Sequence, residues 1–243
     1  MTDVWAHRGA TEHAPENTIA AFHAAIELGV AGIELDVQRT RDGVLVVIHD
    51  EQVERTSNGH GKVANLTFDE LRAFDFSHGH RSHRGIRIPT LQEVLDLVAP
   101  TDVLLNVELK NGIELYPGMN LEVAELAERC GLADRLLYSS FNHYSLAELR
   151  GRVAPSQLGL LYSDGLYEPW HYAKRFGAGA IHPNVLIPLN DAGLVHHCHD
   201  AGIAVNVWTV NEEPDIALLA GLGVDAIITD APERARQIIT AHR

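Results

Sequence analysis

Three short groups near the amino terminus combine residue types that could do chemistry together: His7-Arg8-Gly9, Glu34-Leu35-Asp36 and His49-Asp50. Further along, Glu108 and Lys110 stand two residues apart. Each group lies at the edge of a short apolar run that reads as a β-strand. Histidines can move protons, carboxylates can hold a cation, and Arg8 and Lys110 can neutralise non-bridging phosphoryl oxygens. That combination suits metal-assisted cleavage of a phosphate ester. Strand side chains alternate between faces, so Glu34 and Asp36 point the same way, as do Asn106, Glu108 and Lys110. Three carboxylates converging on inward positions would repel one another unless a cation joined them. A carboxylate-only donor set favours one hard divalent ion, Mg²⁺ or Ca²⁺. The expected site therefore has His7 and His49 as acid and base, Glu34, Asp36 and Glu108 as metal ligands, and Arg8 and Lys110 on the phosphate. Trp208 closes a late strand, where it lines a pocket or packs in the core.

The elements that must carry these residues follow from apolar periodicity. Strand-like runs fall at residues 4–6, 32–37, 44–48, 103–109, 135–139, 158–161, 178–181, 203–208 and 225–228, mostly separated by amphipathic helical stretches. Helix signals include Asn17 as the cap of a helix over 17–28 and a capping-box pattern at Thr90-Leu91-Gln92-Glu93. Only residues 38–43 separate the second and third runs, too few for a parallel crossover. Asp42-Gly43 is a strong hairpin dipeptide, so run 44–48 is expected to return antiparallel. A two-residue loop there would set His49 opposite Asp36. Removing that run leaves eight parallel strands, the number that closes a (β/α)₈ barrel. The chain is expected to be one barrel domain over 1–243, with residues 51–89 as an insertion near the barrel mouth.

Composition narrows the partners. The 243-residue chain is 46% apolar, enough for a large core, and carries a formal net charge of −14. Such an acidic chain is ill suited to nucleic acid or to an anionic membrane, which need clustered Lys and Arg. No apolar stretch suits a transmembrane helix, and no secretory signal is visible. Cys130 and Cys198 show no metal or redox spacing and read as reduced core residues of a cytoplasmic protein. The expected partner is a small molecule, with the protein monomeric or a small homo-oligomer. Two histidine clusters compete for attention. His196 and His199 share a helix face while His197 does not, which makes a poor zinc site, and His78, His80 and His83 sit in a loop.

The residues resemble the glycerophosphodiester phosphodiesterase family, in its short bacterial form. The resemblance rests on His7-Arg8-Gly9, Pro15-Glu16-Asn17-Thr18, Glu34-Leu35-Asp36, Asp42-Gly43, His49-Asp50, Arg55-Thr56, Glu108-Leu109-Lys110, Val207-Trp208-Thr209-Val210-Asn211 and Ile228-Thr229-Asp230. It implies a TIM barrel with an insertion after His49-Asp50, the site residues named above, and cleavage of glycerophosphodiesters to sn-glycerol 3-phosphate and an alcohol. Residues 76–87 depart from the longer aromatic or acidic stretch common in the family, which bears on alcohol specificity. A second expectation is a related barrel acting on lysophospholipid or phosphoinositide. It needs an apolar landing surface, and the sequence shows neither an aromatic ridge nor a basic patch. A third is a barrel that binds a phosphorylated ligand without cleaving it. A metal-dependent amidohydrolase is disfavoured because the first strand lacks a His-x-His pair.

Overall fold

The computed structural model describes residues 2–77 and 79–241. Its strands are β1 (Asp3–His7), β2 (Gly32–Arg39), β3 (Leu45–Val47), β4 (Leu104–Leu109), β5 (Leu136–Ser140), β6 (Leu158–Tyr162), β7 (Ala180–Pro183), β8 (Ala204–Val207) and β9 (Ala226–Thr229). The order around the sheet is β1-β9-β8-β7-β6-β5-β4-β2, and β1 pairs with β2 to close it. Apart from the β2–β3 pair, every neighbouring pair is parallel. This is a TIM barrel, and β3 is the extra strand, bonded antiparallel to β2 outside the closed set.

Outward residues of the strands meet the helix ring. Ile33, Leu35 and Val37 of β2 are fully buried in the same cluster as Phe22, Leu91, Val94 and Leu95. Each such side chain contributes about 1.5–3 kcal/mol of burial. Inward residues of the same strands are the polar ones: Glu34 pairs across to Asn106 and Asp36 to Glu108. A parallel strand buried on both faces can hold such carboxylates only where they converge on a common purpose. Among the described residues, no helix is long and apolar enough to cross a membrane.

Two local expectations are corrected. The helix expected from Asn17 runs over Ile19–Glu27, and its cap is Thr18, whose side chain accepts from the Ala21 N–H. Asn17 has φ +54° and turns its amide elsewhere. The hairpin after β2 is antiparallel as expected, but its register is shifted by one. Val37 pairs with Val47 and Arg39 with Leu45, and the Ile48 N–H donates to the Asp36 carbonyl. Ile48, not His49, stands opposite Asp36. The reason is the loop: the Thr40 N–H donates to Val44 O, leaving Arg41, Asp42 and Gly43 between them, with Gly43 at φ +89°. A three-residue loop ending on a left-handed glycine is the next commonest hairpin after the two-residue one.

The segment after β3 builds its own small core. Val46, Ile48, Val53, Val63, Leu71 and Phe76 are buried together. Thr67 and Glu70 form a capping box that opens helix Phe68–Arg72, and Thr90 and Glu93 do the same for Leu91–Val98. Of the loop histidines, His80 and His83 meet edge to face at 6.0 Å, and His78 lies outside the described residues.

Candidate active site

The carboxyl ends of the strands gather the residues singled out by type. Arg8 and Gly9 follow β1 at φ +56° and +88°, two successive left-handed positions. A Cβ on Gly9 would lie 2.7 Å from Ala21 Cβ, so only glycine fits there. This turn aims the Arg8 N–H at Glu34 Oε2 (3.0 Å) and swings the guanidinium between Asp36 (3.4 Å) and Glu16 (2.9 Å). Asn17 donates to Asp36 Oδ2 at 2.9 Å, and Lys110 sits 2.9 Å from Glu108 and 3.8 Å from Asp36.

Glu34, Asp36 and Glu108 are all buried, and one oxygen from each lies within 4.8 Å of the others. Asp36 Oδ1 is buried without a hydrogen-bond partner. Burial pushes the Glu34 carboxyl well above its ordinary range, reinforced by Asp36 and Glu108. Burial and Asp36 raise Glu108 as well, against the pull of Lys110. Burial also acts to raise Asp36, but Arg8, His49, Lys110 and the Asn17 hydrogen bond outweigh it and hold this carboxyl down at about 2. The cluster thus keeps one firmly ionised carboxylate between two that resist ionisation. A hard divalent cation, which takes oxygen ligands and matches this donor set, would relieve that conflict.

Both histidines are oriented by a carboxylate. His7 Nδ1 bonds Asp230 Oδ1 at 2.7 Å, which leaves Nε2 facing Glu34 at 4.0 Å. Asp230 is itself held by Asn211 Nδ2 at 2.7 Å. His49 Nδ1 bonds Asp50 Oδ1 at 2.6 Å. In each case the carboxylate fixes the ring and selects Nε2 as the atom for proton exchange. The shifted hairpin register does not carry His49 away, because the chain bends immediately after β3. Gln38, fully buried on the same strand face as Asp36, donates to the carbonyls of Ile48, His49 and Asp50 at 3.3, 3.0 and 2.7 Å. Tyr116 donates to Gln38 Oε1 at 3.0 Å and locks the amide. That clamp sets His49 close enough for its charge to act on both Asp36 and Glu108.

A second network ties the two halves of the site together. Arg55 contacts Asp50 through Nε (2.5 Å) and Glu16 through both terminal nitrogens (2.6 and 2.8 Å). The contacts run Arg8–Glu16–Arg55–Asp50–His49. Burial acts to raise Asp50, but Arg55 and His49 hold it down at about 2, so it stays ionised.

Comparison with known proteins decides the lineage. The profile of the Glycerophosphoryl diester phosphodiesterase family matches residues 7–234. The chain belongs to that family. It is accordingly a phosphoric diester hydrolase with glycerophosphodiester phosphodiesterase activity. The chain is 46% identical over 234 residues to the glycerophosphodiester phosphodiesterase of Caldanaerobacter subterraneus subsp. tengcongensis, covering 96% of this chain and 95% of that one. Against the enzyme of the same name from Bacillus altitudinis it is 42% identical, with 98% of each covered. Among solved structures, a phosphodiesterase from Oleispira antarctica in complex with the product sn-glycerol-3-phosphate superposes with a TM-score of 0.85 at 28% identity, covering 99% of this chain and 97% of that one.

The barrel of this family member brings His7, Arg8, Glu34, Asp36, His49, Glu108 and Lys110 into one cluster. Trp208 stands farther round the mouth: its Nε1 donates to the His182 carbonyl at 2.7 Å and its ring meets Phe141 edge to face at 5.3 Å. Of the helix histidines, His196 pairs with Asp200 and His199 with Asp225, away from the site. Sequence reasoning set Glu16 aside as part of a helix start and gave no role to Gln38, Asp50, Arg55, Asn211 or Asp230. Asp50 adjoins His49 and could have been read as its partner. Asp230 was marked only as part of the Ile228-Thr229-Asp230 motif, and its 223-residue distance from His7 hid the pairing.

Proposed function

We propose that the chain hydrolyses glycerophosphodiesters such as glycerophosphocholine or glycerophosphoethanolamine to sn-glycerol 3-phosphate and an alcohol. One divalent cation, Mg²⁺ or Ca²⁺, would be held by Glu34, Asp36 and Glu108. The observation that carries this reading is the buried carboxylate triad, with Asp36 Oδ1 unpartnered, beside two histidines each oriented by its own carboxylate. The product seen in the Oleispira antarctica phosphodiesterase supports the same assignment.

When bound, such a cation polarises the phosphoryl group and offsets its charge. The residues of the chain do the rest. Arg8 and Lys110 receive the phosphoryl oxygens, Arg8 being preset by Glu16. One histidine takes the proton of the attacking hydroxyl at Nε2, and the other delivers a proton to the departing alkoxide. Asp230 and Asp50 stabilise whichever imidazolium forms. Trp208 lines the alcohol side. The whole chain acts as one catalytic domain, with residues 51–89 contributing the wall next to His49. Free Cys130 and Cys198 accord with a cytoplasmic enzyme.

The test is purified protein with glycerophosphocholine and Mg²⁺ or Ca²⁺, with glycerol 3-phosphate measured enzymatically. Chelator should abolish release and either ion should restore it. Undiminished turnover in metal-stripped protein would overturn the metal assignment, and no turnover with either ion would overturn the substrate.

A further inference from the structure

The interior of a TIM barrel is usually filled by layers of bulky, branched side chains. Here two adjacent layers beneath the carboxylate triad are polar and thinly filled. With the stagger of such a barrel, about one residue per strand, the registers put Glu34, Ser139 and His182 in one layer. Trp5, Asn106, Gly159 and Asn206 form the layer below. Ser139 is the pairing partner of Glu108, and Asn106 that of Glu34. Two glycines make room. A Cβ on Gly159 would lie 2.4 Å from His182 Nε2, and one on Gly32 would lie 2.7 Å from Trp5 Cδ1. Each ring therefore leans over a strand position that carries no side chain, and the two rings meet edge to face at 6.2 Å.

Among the described residues, four buried polar atoms in these layers have no partner: Ser139 Oγ, His182 Nδ1, Asn106 Oδ1 and Trp5 Nε1. All four side chains are buried, Ser139 and His182 at 0% exposure. Such atoms are normally satisfied by the protein or by ordered water. Asn206 Nδ2 donates to His182 Nε2 at 3.0 Å, so the ring hydrogen sits on Nδ1. Burial holds this imidazole neutral by pulling its pKa down to about 3. The layers thus offer two N–H donors, one carbonyl acceptor and a hydroxyl that can serve as either. A cation is repelled by the N–H groups, and an anion by Asn106 Oδ1 and Glu34. Water both donates and accepts, and a buried water typically takes about 2–4 such partners.

The layers also underlie the ligands. The protein holds Glu34 Oε2 through the Arg8 N–H at 3.0 Å and Glu108 Oε1 through Lys110 at 2.9 Å. Carboxylates that ligate a metal are themselves hydrogen-bonded, and those outer partners set affinity.

We propose that the barrel interior beneath the triad binds ordered water through Ser139, His182, Asn106 and Trp5, and that this water fixes Glu34 and Glu108 for the cation. The first half stands on the interior alone, and the second rests on the metal reading above. Ser139 and Asn106 are then positioning residues, acting through the carboxylates and not on substrate.

The test begins with a high-resolution crystal structure of the wild-type protein. A well-ordered water should lie within hydrogen-bond distance of Ser139 Oγ and His182 Nδ1. Mg²⁺ and Ca²⁺ binding is then measured by calorimetry in Ser139→Ala and in Asn106→Leu, which keeps the side-chain volume. Each should weaken Kd by about 10–100-fold. Tm in chelator should stay close to wild type, whereas a merely structural role would lower Tm and leave Kd alone. Ser139→Thr keeps the hydroxyl and should restore most of the affinity.

An interior without ordered water in the wild-type crystal overturns the proposal, whatever the variants do. Water present with Kd unchanged in both variants overturns its role in holding the ligands. If the wild-type protein binds neither ion, the metal reading falls and the supporting role falls with it, while the water is decided by the crystal alone.

Discussion

Replacing Glu34 by glutamine should stabilise the metal-free protein while removing its metal dependence. Glu34 is buried at 4% exposure among two other carboxylates, and its oxygens lie within 4.8 Å of theirs. At an effective dielectric of about 20, each such pair of charges repels by about 3 kcal/mol. Protonation caps the penalty, because a carboxyl held well above its ordinary range takes up a proton rather than keep its charge. The attraction of Arg8 offsets roughly one repulsive pair, and its N–H to Glu34 weakens by about 1 kcal/mol when the acceptor becomes neutral. A gain of about 2 kcal/mol remains, which for a chain of this size raises Tm by about 4–8 °C.

The sign with pH is distinctive. Because the folded Glu34 carboxyl titrates above its ordinary value, wild-type stability from this group is full below about pH 4.5 and falls as pH rises toward the raised value. The advantage of Glu34→Gln should therefore grow as pH rises above the ordinary carboxyl range and vanish as pH falls to about 4.5. Thermal or urea unfolding in chelator across that range provides the assay. Wild type should recover about 2.7 kcal/mol at a metal concentration about a hundred times its Kd, whereas the variant should recover little. A variant no more stable than wild type in chelator at high pH, or a gain independent of pH, would refute the idea that the triad is a frustrated cluster awaiting a cation.

Three further outcomes follow from the same geometry. His7→Ala and His49→Ala should each lower kcat by about 10²–10⁴-fold, and a p-nitrophenyl ester, which needs no protonated leaving group, should rescue only the variant lacking the general acid; losses of only a few-fold would remove the pair from the chemistry. Arg55→Ala should lower kcat about 10–100-fold by loosening both Asp50 and Glu16, with Arg55→Lys recovering only part because a single ammonium cannot hold both carboxylates as the guanidinium fork does, and an unchanged pH–rate profile in Arg55→Ala would show that it does not position His49. Metal binding should release protons and weaken as pH falls, since the raised carboxyls of Glu34 and Glu108 must ionise to ligate; calorimetry in buffers of differing ionisation enthalpy that detects no proton release at any pH would contradict this.

What the sequence determined by itself was whatever local spacing encodes. Two-residue alternation put Glu34 and Asp36 on one face, and β4 extended the same rule to Asn106 and Glu108. The capping-box pattern at Thr90 opened the helix it announced. Asp42-Gly43 announced a hairpin, and strand–helix alternation with one antiparallel exception announced an eight-stranded barrel. Tertiary structure alone decided the rest. Loop length, which dipeptide identity leaves open, moved the hairpin register by one, and Gln38 then bent the chain to return His49 to the site. Barrel closure brought Asp230 of the last turn onto His7 of the first strand, and Arg55 of the insertion onto Glu16. Hydrogen-bond and packing rules act over a few residues, so sequence spacing records them. Closing a ring of strands joins positions hundreds of residues apart, and no local period carries that information.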